Sequence, residues 1–272
     1  MDLEARLEQA VTIAREAGKH VRRAREEASF DRDYKHGNEL VTDADIATDR
    51  YISEQLEQQF PGEPRLTEEL SPGRQSLTDE GPLWIVDPID GTVNFAHGHV
   101  HVAVSIAWVE DGRIRLGVVH APFMNETFTA IRGRGAWLNG SPIHCSETTR
   151  LPEALVATGF PYDRDARTPL MRRLHAVLLN CRDIRRNGAA ALDLCHVGCG
   201  RLDAYYESSS PWDFAAGRLI AAEAGARLGN VYPCPDGIPA ELYGENLVAA
   251  SPALHDPLCQ LIERADNGRL EG

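Results

Sequence analysis

The chain has 272 residues, is 43% hydrophobic and carries a formal net charge of −13. That length suffices for one large core or two smaller ones, and no apolar run approaches the roughly 18 residues that mark a membrane-spanning helix. The acidic balance argues against a general nucleic-acid binder, which carries a basic face; it also sets a problem for any anionic substrate, which the protein's own field repels.

Taken in chain order, an amphipathic helix is predicted over residues 1–27, with Leu3, Leu7, Ala10, Val11, Ala14, Ala17 and Val21 on one side and an end near Ser29 or Phe30. This segment lacks the basic-then-apolar order of a secretion signal, so a cytoplasmic protein is expected. A second helix is predicted over 43–59, stopped by Pro61-Gly62. A short strand over 65–67 then delivers Glu68 and Glu69, and a loop with Pro72 and Gly73 leads to a strand over 83–86. Residues 101–110 and 113–120 alternate as antiparallel strands joined at Asp111-Gly112, and 126–131 and 136–138 continue the sheet to a turn at Asn139-Gly140.

After about residue 146 strands and helices alternate: strands over 155–158, 183–186, 203–207 and 247–250, and helices over 168–180, 189–199 and 213–224. The expected fold class is α+β, with an N-terminal part (1–146) and a C-terminal α/β part (147–272) forming one catalytic unit. The six cysteines contain no Cys-x-x-Cys pair and are read as reduced packing residues. Lysine occurs only at Lys19 and Lys35 among 28 basic residues, which a GC-rich genome or a saline habitat would each produce.

Two stretches carry chemistry. Trp84 to Phe95 reads W-I-V-D-P-I-D-G-T-V-N-F: a hydrophobic strand runs into Asp87 and Asp90 across a Pro-Ile turn, followed by Gly91, Thr92 and a helix start. Carboxylates this close repel each other unless a cation sits between them, and Mg²⁺ prefers such oxygen ligands. Backbone N–H groups at a helix start suit a phosphate. Read in isolation, D-P-x-D-G is also an ordinary surface turn. The second stretch, P-W-D-F-A-A-G at 211–217, places Asp213 at a helix start beside small residues that permit close packing; taken alone, Asp213 reads as an N-cap.

With both stretches in hand, the chain resembles the inositol monophosphatase family of metal-dependent phosphatases over nearly its full length. Weaker supports are E-L-V-T-D-A-D at 39–45, T-E-E at 67–69 and I-R-R-N-G-A-A-A-L-D-L at 184–194. The resemblance implies the layered α/β/α/β/α sandwich shared with fructose-1,6-bisphosphatase. It implies two to three Mg²⁺ per active site: Glu68, Asp87 and the Ile89 carbonyl for the first, Asp87, Asp90 and Asp213 for the second, and Glu68 for a weaker third, with Glu69 the neighbouring choice. Thr92 would orient the attacking water and Asp45 would bond the Thr92 hydroxyl; for Asp45 the plain alternative is a helix cap.

Implied substrate contacts are Asp90, Gly91, Thr92, Gly188, Ala189, Ala190, Glu207 and Asp213, with Lys35 at a position where the family often has a lysine near the active-site loop. Departures from the family pattern are Thr67 in place of a glycine before Glu68 and S-S-S-P at 208–211 in place of a Gly-containing loop. Arg185-Arg186 resembles the bacterial branch, where the pair is read as a subunit or partner contact. His97, His99 and His101 form an H-x-H-x-H run that would share one face of a strand and so could hold zinc, but Gly98 interrupts it.

The implied activity is hydrolysis of myo-inositol monophosphate or a related small polyol phosphate by metal-activated water, by a lithium-sensitive homodimer. Fructose 1,6-bisphosphate, histidinol phosphate and 3′-phosphoadenosine 5′-phosphate stand as alternative substrates. A role in binding transcription or ribosome-assembly partners is the alternative of another class; a protein with that role alone would be expected to have lost at least one of Glu68, Asp87, Asp90 and Asp213, all present here.

Overall fold

In a computed structural model, which describes residues 2–27, 30–35, 39–72, 80–160 and 167–268, the chain begins with helix α1 (Leu3–Glu26), capped by the Asp2 side chain, which accepts from the Ala5 N–H at 2.8 Å. Its buried face is Ala10, Ile13, Ala14, Ala17, Gly18 and Val21 with Arg6, so the predicted stripe is turned toward Ile13, and Leu3, Leu7 and Val11 lie at its margin. Ser29, Gly73 and the Lys35 side chain lie outside the described residues.

A two-stranded antiparallel ribbon of β1 (Arg32–Lys35) and β2 (Glu39–Thr42) was not expected from the sequence. Helix α2 (Asp43–Gln59) has its predicted bounds. It opens with a capping box in which the Thr42 N–H donates to Asp45 Oδ2 at 2.8 Å.

A seven-stranded sheet follows in simple order: β3 (Arg65–Thr67), β4 (Pro82–Asp90), β5 (Ala103–Glu110), β6 (Arg113–Ala121), β7 (Glu126–Ile131), β8 (Ala136–Leu138) and β9 (Ser141–Pro142). β3 and β4 are parallel, and the other neighbours antiparallel. Asp111 (φ 52°) with Gly112 (φ 68°), and Asn139 (φ 50°) with Gly140 (φ 79°), have the paired positive φ of tight hairpin turns.

β4 corrects the sequence reading. The strand does not stop at Val86 before a Pro-Ile turn but runs to Asp90, with Asp87 opposite Ser105 and Asp90 opposite Ala103. Three steps on β4 therefore match two on β5, which is a bulge, and Pro88, lacking an N–H, is tolerated at such a site. The extra residue re-aims the strand where both carboxylates sit. Helix α3 (Thr92–His97) follows directly.

The second sheet is built from β10 (Leu155–Thr158), β11 (Asp183–Arg185), β12 (Ala204–Glu207), β13 (Arg227–Asn230) and β14 (Leu247–Ala250), in the order β11-β10-β12-β14-β13. Between these strands run α4 (Arg167–Asn180), α5 (Ala190–Gly198) and α6 (Pro211–Glu223), and α7 (Pro252–Asp266) closes the described chain. β13 and α7 escaped the sequence reading; Pro257 inside α7 masks a helical stripe of Leu254, Leu258, Leu261, Ile262 and Ala265. Helix α6 starts two residues earlier than predicted, so Ser210 is its cap and Asp213 lies in its first turn, accepting from the Ser210 N–H at 2.7 Å.

Alternation along the strands sorts the layers. Trp84 and Val86 of β4 pack with α1 and α2, while Leu83 and Ile85 face α5 and α6. On β12, Tyr205 packs with Leu194, Val197 and Phe214 of α5 and α6, and Tyr206 with Leu254 and Leu258 of α7 and Val177 of α4. The fold is therefore α+β, an α/β/α/β/α sandwich with α5 and α6 as its middle layer. Close approach in that layer requires Gly217: a Cβ there would lie 2.8 Å from both the Ala191 carbonyl oxygen and Leu194 Cβ.

Behind the first sheet, Arg6 is buried over the rings of Phe60 (4.5 Å to the centroid) and Trp108 (4.2 Å) and binds both oxygens of Glu63 at 2.7 and 2.9 Å. The same carboxylate accepts from the indole N–H groups of Trp84 (2.8 Å) and Trp108 (3.0 Å). Removing one partner of such a pair strands the other charge. Arg6→Leu is expected to lower the urea-unfolding free energy by about 3 kcal/mol, and a loss under 1 kcal/mol would mean Glu63 is adequately solvated without it.

Candidate active site

A cavity of about 150 Å³ opens at the carboxyl end of β4. Glu68 follows β3 onto its wall; Asp87, Ile89 and Asp90 come from β4, Gly91 and Thr92 from the start of α3, Gly188, Ala189 and Ala190 from the start of α5, Glu207 from the end of β12, and Asp213 from the first turn of α6. The candidate metal ligands and substrate contacts from Glu68 to Asp213 thus share one wall, while the Lys35 side chain lies outside the described residues. Glu69 is not part of it; its N–H instead donates to Asp49 Oδ2 at 3.1 Å.

Internal hydrogen bonds fix the carboxylates. Asp90 Oδ1 accepts from the Ala190 N–H at 3.1 Å and Oδ2 from the Ala191 N–H at 2.8 Å, so the first amides of α5 clasp it. Asp87 Oδ1 accepts from the Ile89 N–H at 3.0 Å. The Thr92 hydroxyl lies 3.0 Å from Asp45 Oδ1 and 3.2 Å from the Ile89 carbonyl oxygen. Asp45 therefore serves both readings: one oxygen caps α2, and the other holds Thr92.

These groups are held against their electrostatic preference. Burial, then the charges of Glu68, Asp90, Asp213 and Asp45, push the Asp87 carboxyl well above the ordinary carboxylate range. Burial likewise drives Asp90 up to about 8, although the Ala191 and Ala190 amides oppose it. A divalent cation fits this donor set. Several buried carboxylates and a backbone carbonyl oxygen form a hard, oxygen-only environment whose crowded charge such an ion would compensate.

Across the cavity Glu207 is pushed up to about 6 by burial, while the Tyr205 hydroxyl, which donates to it, and the Arg186 charge pull the other way. Gly159, following β10, leaves the room Glu207 occupies: a Cβ at 159 would collide with its carboxylate.

The sequence model of the inositol monophosphatase family matches residues 2–267. The chain belongs to that family. It is 37% identical to inositol monophosphatase 2 of Solanum lycopersicum over 97% of this chain and 100% of that one, and 36% identical to the Nus factor SuhB of Vibrio cholerae over 96% and 97%. Among solved structures it is similar to the extragenic suppressor protein SuhB of Bartonella henselae (TM-score 0.86, 32% identity, 96% of this chain and 99% of that one). It is also similar to an IMPase of Thermotoga maritima (TM-score 0.84, 32% identity, 97% and 99%). Membership supports a phosphatase fold of the kind generally associated with metal dependence. Among the described residues no helix is long and apolar enough to cross a membrane.

Several wall residues were not read from the sequence as part of the site: Val93, Thr158, Gly159, Phe160, Asp193 and Arg186. Arg186 was noticed as half of an arginine pair and assigned to subunit or partner contacts; it is an exposed cation on the cavity wall. Only the placement of β11 beside β10 reveals this, because sequence gives no strand order. The H-x-H-x-H run does not form a single strand face: His97 ends α3, and His97 and His99 are exposed. The cysteines are all free, as expected.

The raised carboxyls give a signed pH dependence. Asp90 (about 8), Asp193 (about 7) and Glu207 (about 6) hold protons in the folded state that the unfolded state has already lost, so stability present at low pH is lost as pH rises through these values. Burial lowers the pKa of His101, His120, His196 and His255, so these groups add little above neutrality. The melting temperature of chelator-treated protein is expected to fall between about pH 6.5 and 8.5, the range of raised carboxyls, and millimolar Mg²⁺ to flatten that fall. An unchanged slope with Mg²⁺ would mean that the cation does not engage these carboxylates.

Proposed function

We propose that the protein is a Mg²⁺-dependent phosphomonoesterase acting on myo-inositol monophosphate or a related small polyol phosphate. The observation that carries this reading is the convergence of Glu68, Asp87, Asp90, Asp213 and the Ile89 carbonyl on one cavity together with the start of α3 and the start of α5. Glu68, Asp87, Ile89, Asp90 and Asp213 would hold two to three Mg²⁺, which when bound supply charge neutralisation for the phosphoryl oxygens and a more acidic water. The rest of the task falls to the chain's own groups.

Asp45 fixes the Thr92 hydroxyl, and Thr92 in turn positions the attacking water, with no phosphoenzyme. Backbone at Gly91 and Thr92 faces the phosphate, and Arg186 offsets its charge in an otherwise anionic cavity. Glu207, with the segment Gly188, Ala189 and Ala190, meets the hydroxyls of the polyol; a carboxylate in a buried wall suits a hydroxylated substrate, because unpaired hydroxyls would be costly there. The family resemblance supports a homodimer and inhibition by Li⁺. A cytoplasmic location rests on the sequence reading alone.

The relatives named Nus factor SuhB favour a second reading, in which the same fold binds transcription or ribosome-assembly partners. Retention of Glu68, Asp87, Asp90 and Asp213 favours catalysis as the primary role, with partner binding additional.

Phosphate release is the test, from inositol 1-phosphate, fructose 1,6-bisphosphate, histidinol phosphate and 3′-phosphoadenosine 5′-phosphate, each with Mg²⁺, with EDTA and with Mg²⁺ plus Li⁺. Inositol 1-phosphate is expected to be preferred, with activity lost in EDTA and reduced by Li⁺. Asp87→Asn keeps an oxygen for the Ile89 amide and is expected to lower turnover at least a hundredfold, roughly the upper end of the loss seen when even an outer metal contact is removed. No release from any substrate would shift the weight to the partner-binding reading. Glu207→Gln is expected to raise KM or change substrate preference with little change in Mg²⁺ affinity; weakened Mg²⁺ binding alone would make Glu207 a metal ligand instead.

A further inference from the structure

His101 separates from the other histidines of its run. Its ring meets His196 of α5 edge to face, with centroids 5.4 Å apart and planes at 88°. Asp193 lies three residues before His196 on the same helix, a spacing that puts both on one face. One donor atom from each of His101, Asp193 and His196 lies within 4.8 Å of the other two. Asp193 and His196 are buried, His101 is half-buried, and the Nε2 of His101 is itself buried without a hydrogen-bond partner. A buried polar atom in that condition needs a partner such as a water or an ion, and the two neighbouring donors favour an ion.

We propose that His101, Asp193 and His196 form a second cation site, distinct from the oxygen-only acidic centre, that takes an imidazole-preferring divalent ion such as Zn²⁺ or Co²⁺. Two imidazoles and one carboxylate are a donor set of that class, and the hard Mg²⁺ ion is a poor match for it. Burial holds both imidazoles toward their neutral, coordinating form.

The surroundings supply what such a site needs. Asn187 Nδ2 donates to Asp193 Oδ1 at 2.6 Å, the outer hydrogen bond that orients a ligating carboxylate. The backbone of His101 is pinned by Asn94, whose Nδ2 donates to its carbonyl oxygen at 2.8 Å, so the ring alone has to adjust. Donors around a tetrahedral ion stand roughly 3.3 Å apart for bonds near 2.0 Å, a contraction that side-chain rotation supplies. Arg201 lies 3.4 Å from His196 Nε2, but Glu126 binds both of its terminal nitrogens, at 2.7 and 2.6 Å, and offsets its charge. Glu126 and Arg201 offset each other, so an ion that displaces the Asp193 proton meets the one remaining negative charge, on the Asp193 carboxylate.

Three ligands leave coordination positions open to water, so binding is expected to be exchangeable rather than structural. Asp193 is also part of the catalytic cavity wall, which ties an ion at this site to the segment that clasps Asp90.

The test is titration of the Mg²⁺-saturated protein with Co²⁺, followed by visible absorption. One equivalent is expected to give the stronger ligand-field bands of a nitrogen-containing, low-coordinate site, which Zn²⁺ then bleaches; excess Mg²⁺ keeps Co²⁺ from the acidic centre. His101→Ala and His196→Asn are each expected to abolish the bands, and a His97→Ala, His99→Ala double variant to retain them. Absence of a saturable band overturns the proposal, as does its persistence in both the His101 and His196 variants. Thiolate charge transfer in the near ultraviolet would mean that cysteines hold the ion, and would also overturn it. Because absorption rather than phosphate release is read, the result does not depend on whether the acidic centre is a phosphatase.

Discussion

The capture of Asp90 by the first two amides of α5 is the contact on which the site depends. It joins a bulged strand of the first sheet to the helix layer between the sheets. Asp90 sits in a buried group of like charges that burial alone disfavours, and the two N–H donors offset part of that cost. The clasp acts together with Asn94 of α3, whose Nδ2 donates to the Asn187 carbonyl oxygen at 2.7 Å and lies 3.3 Å from that of Gly188, to fix Gly188, Ala189 and Ala190 relative to Asp87 and Thr92. The candidate site and the packing between layers share one carboxylate.

The middle layer explains why so much of the sequence near the site is small. Ala191, Ala215, Ala216 and Gly217 are buried where α5, α6 and the first sheet approach one another, and larger side chains would hold the helix starts away from β4. The charged node of Arg6 and Glu63 works on the opposite face of the same sheet, stiffening Trp84 and Trp108 behind the strand that carries the acidic pair. The acidic pair is thus braced from both sides.

Much of this was legible in the sequence. The bounds of α2, the strand pattern of the first sheet and both hairpin turns follow from local chemistry, and the acidic motif was visible because its residues are adjacent. What stayed hidden depends on tertiary placement or on a disguised pattern. The bulge at Pro88 looks like a turn when read locally, α7 is disguised by Pro257, and Arg186 and Gly159 become wall residues only once β10 and β11 are set beside the site. The histidine run, interrupted by Gly98, gave little sign of a cluster; the groups that meet His101 come from α5, ninety residues and more away, where spacing along the chain carries no signal.

The layer order also bears on how the chain matures as it is made. The first sheet and its outer helices are complete before α5 and α6 emerge, and until then Leu83, Ile85, Ala107 and Val109 have nothing to cover them. Asp213 arrives only with α6. A nascent chain therefore carries an unfinished apolar face and an unfinished acidic cluster together, and one docking event by the middle helices ends both exposures. Chaperone dependence and the onset of cation binding should share a single point in synthesis.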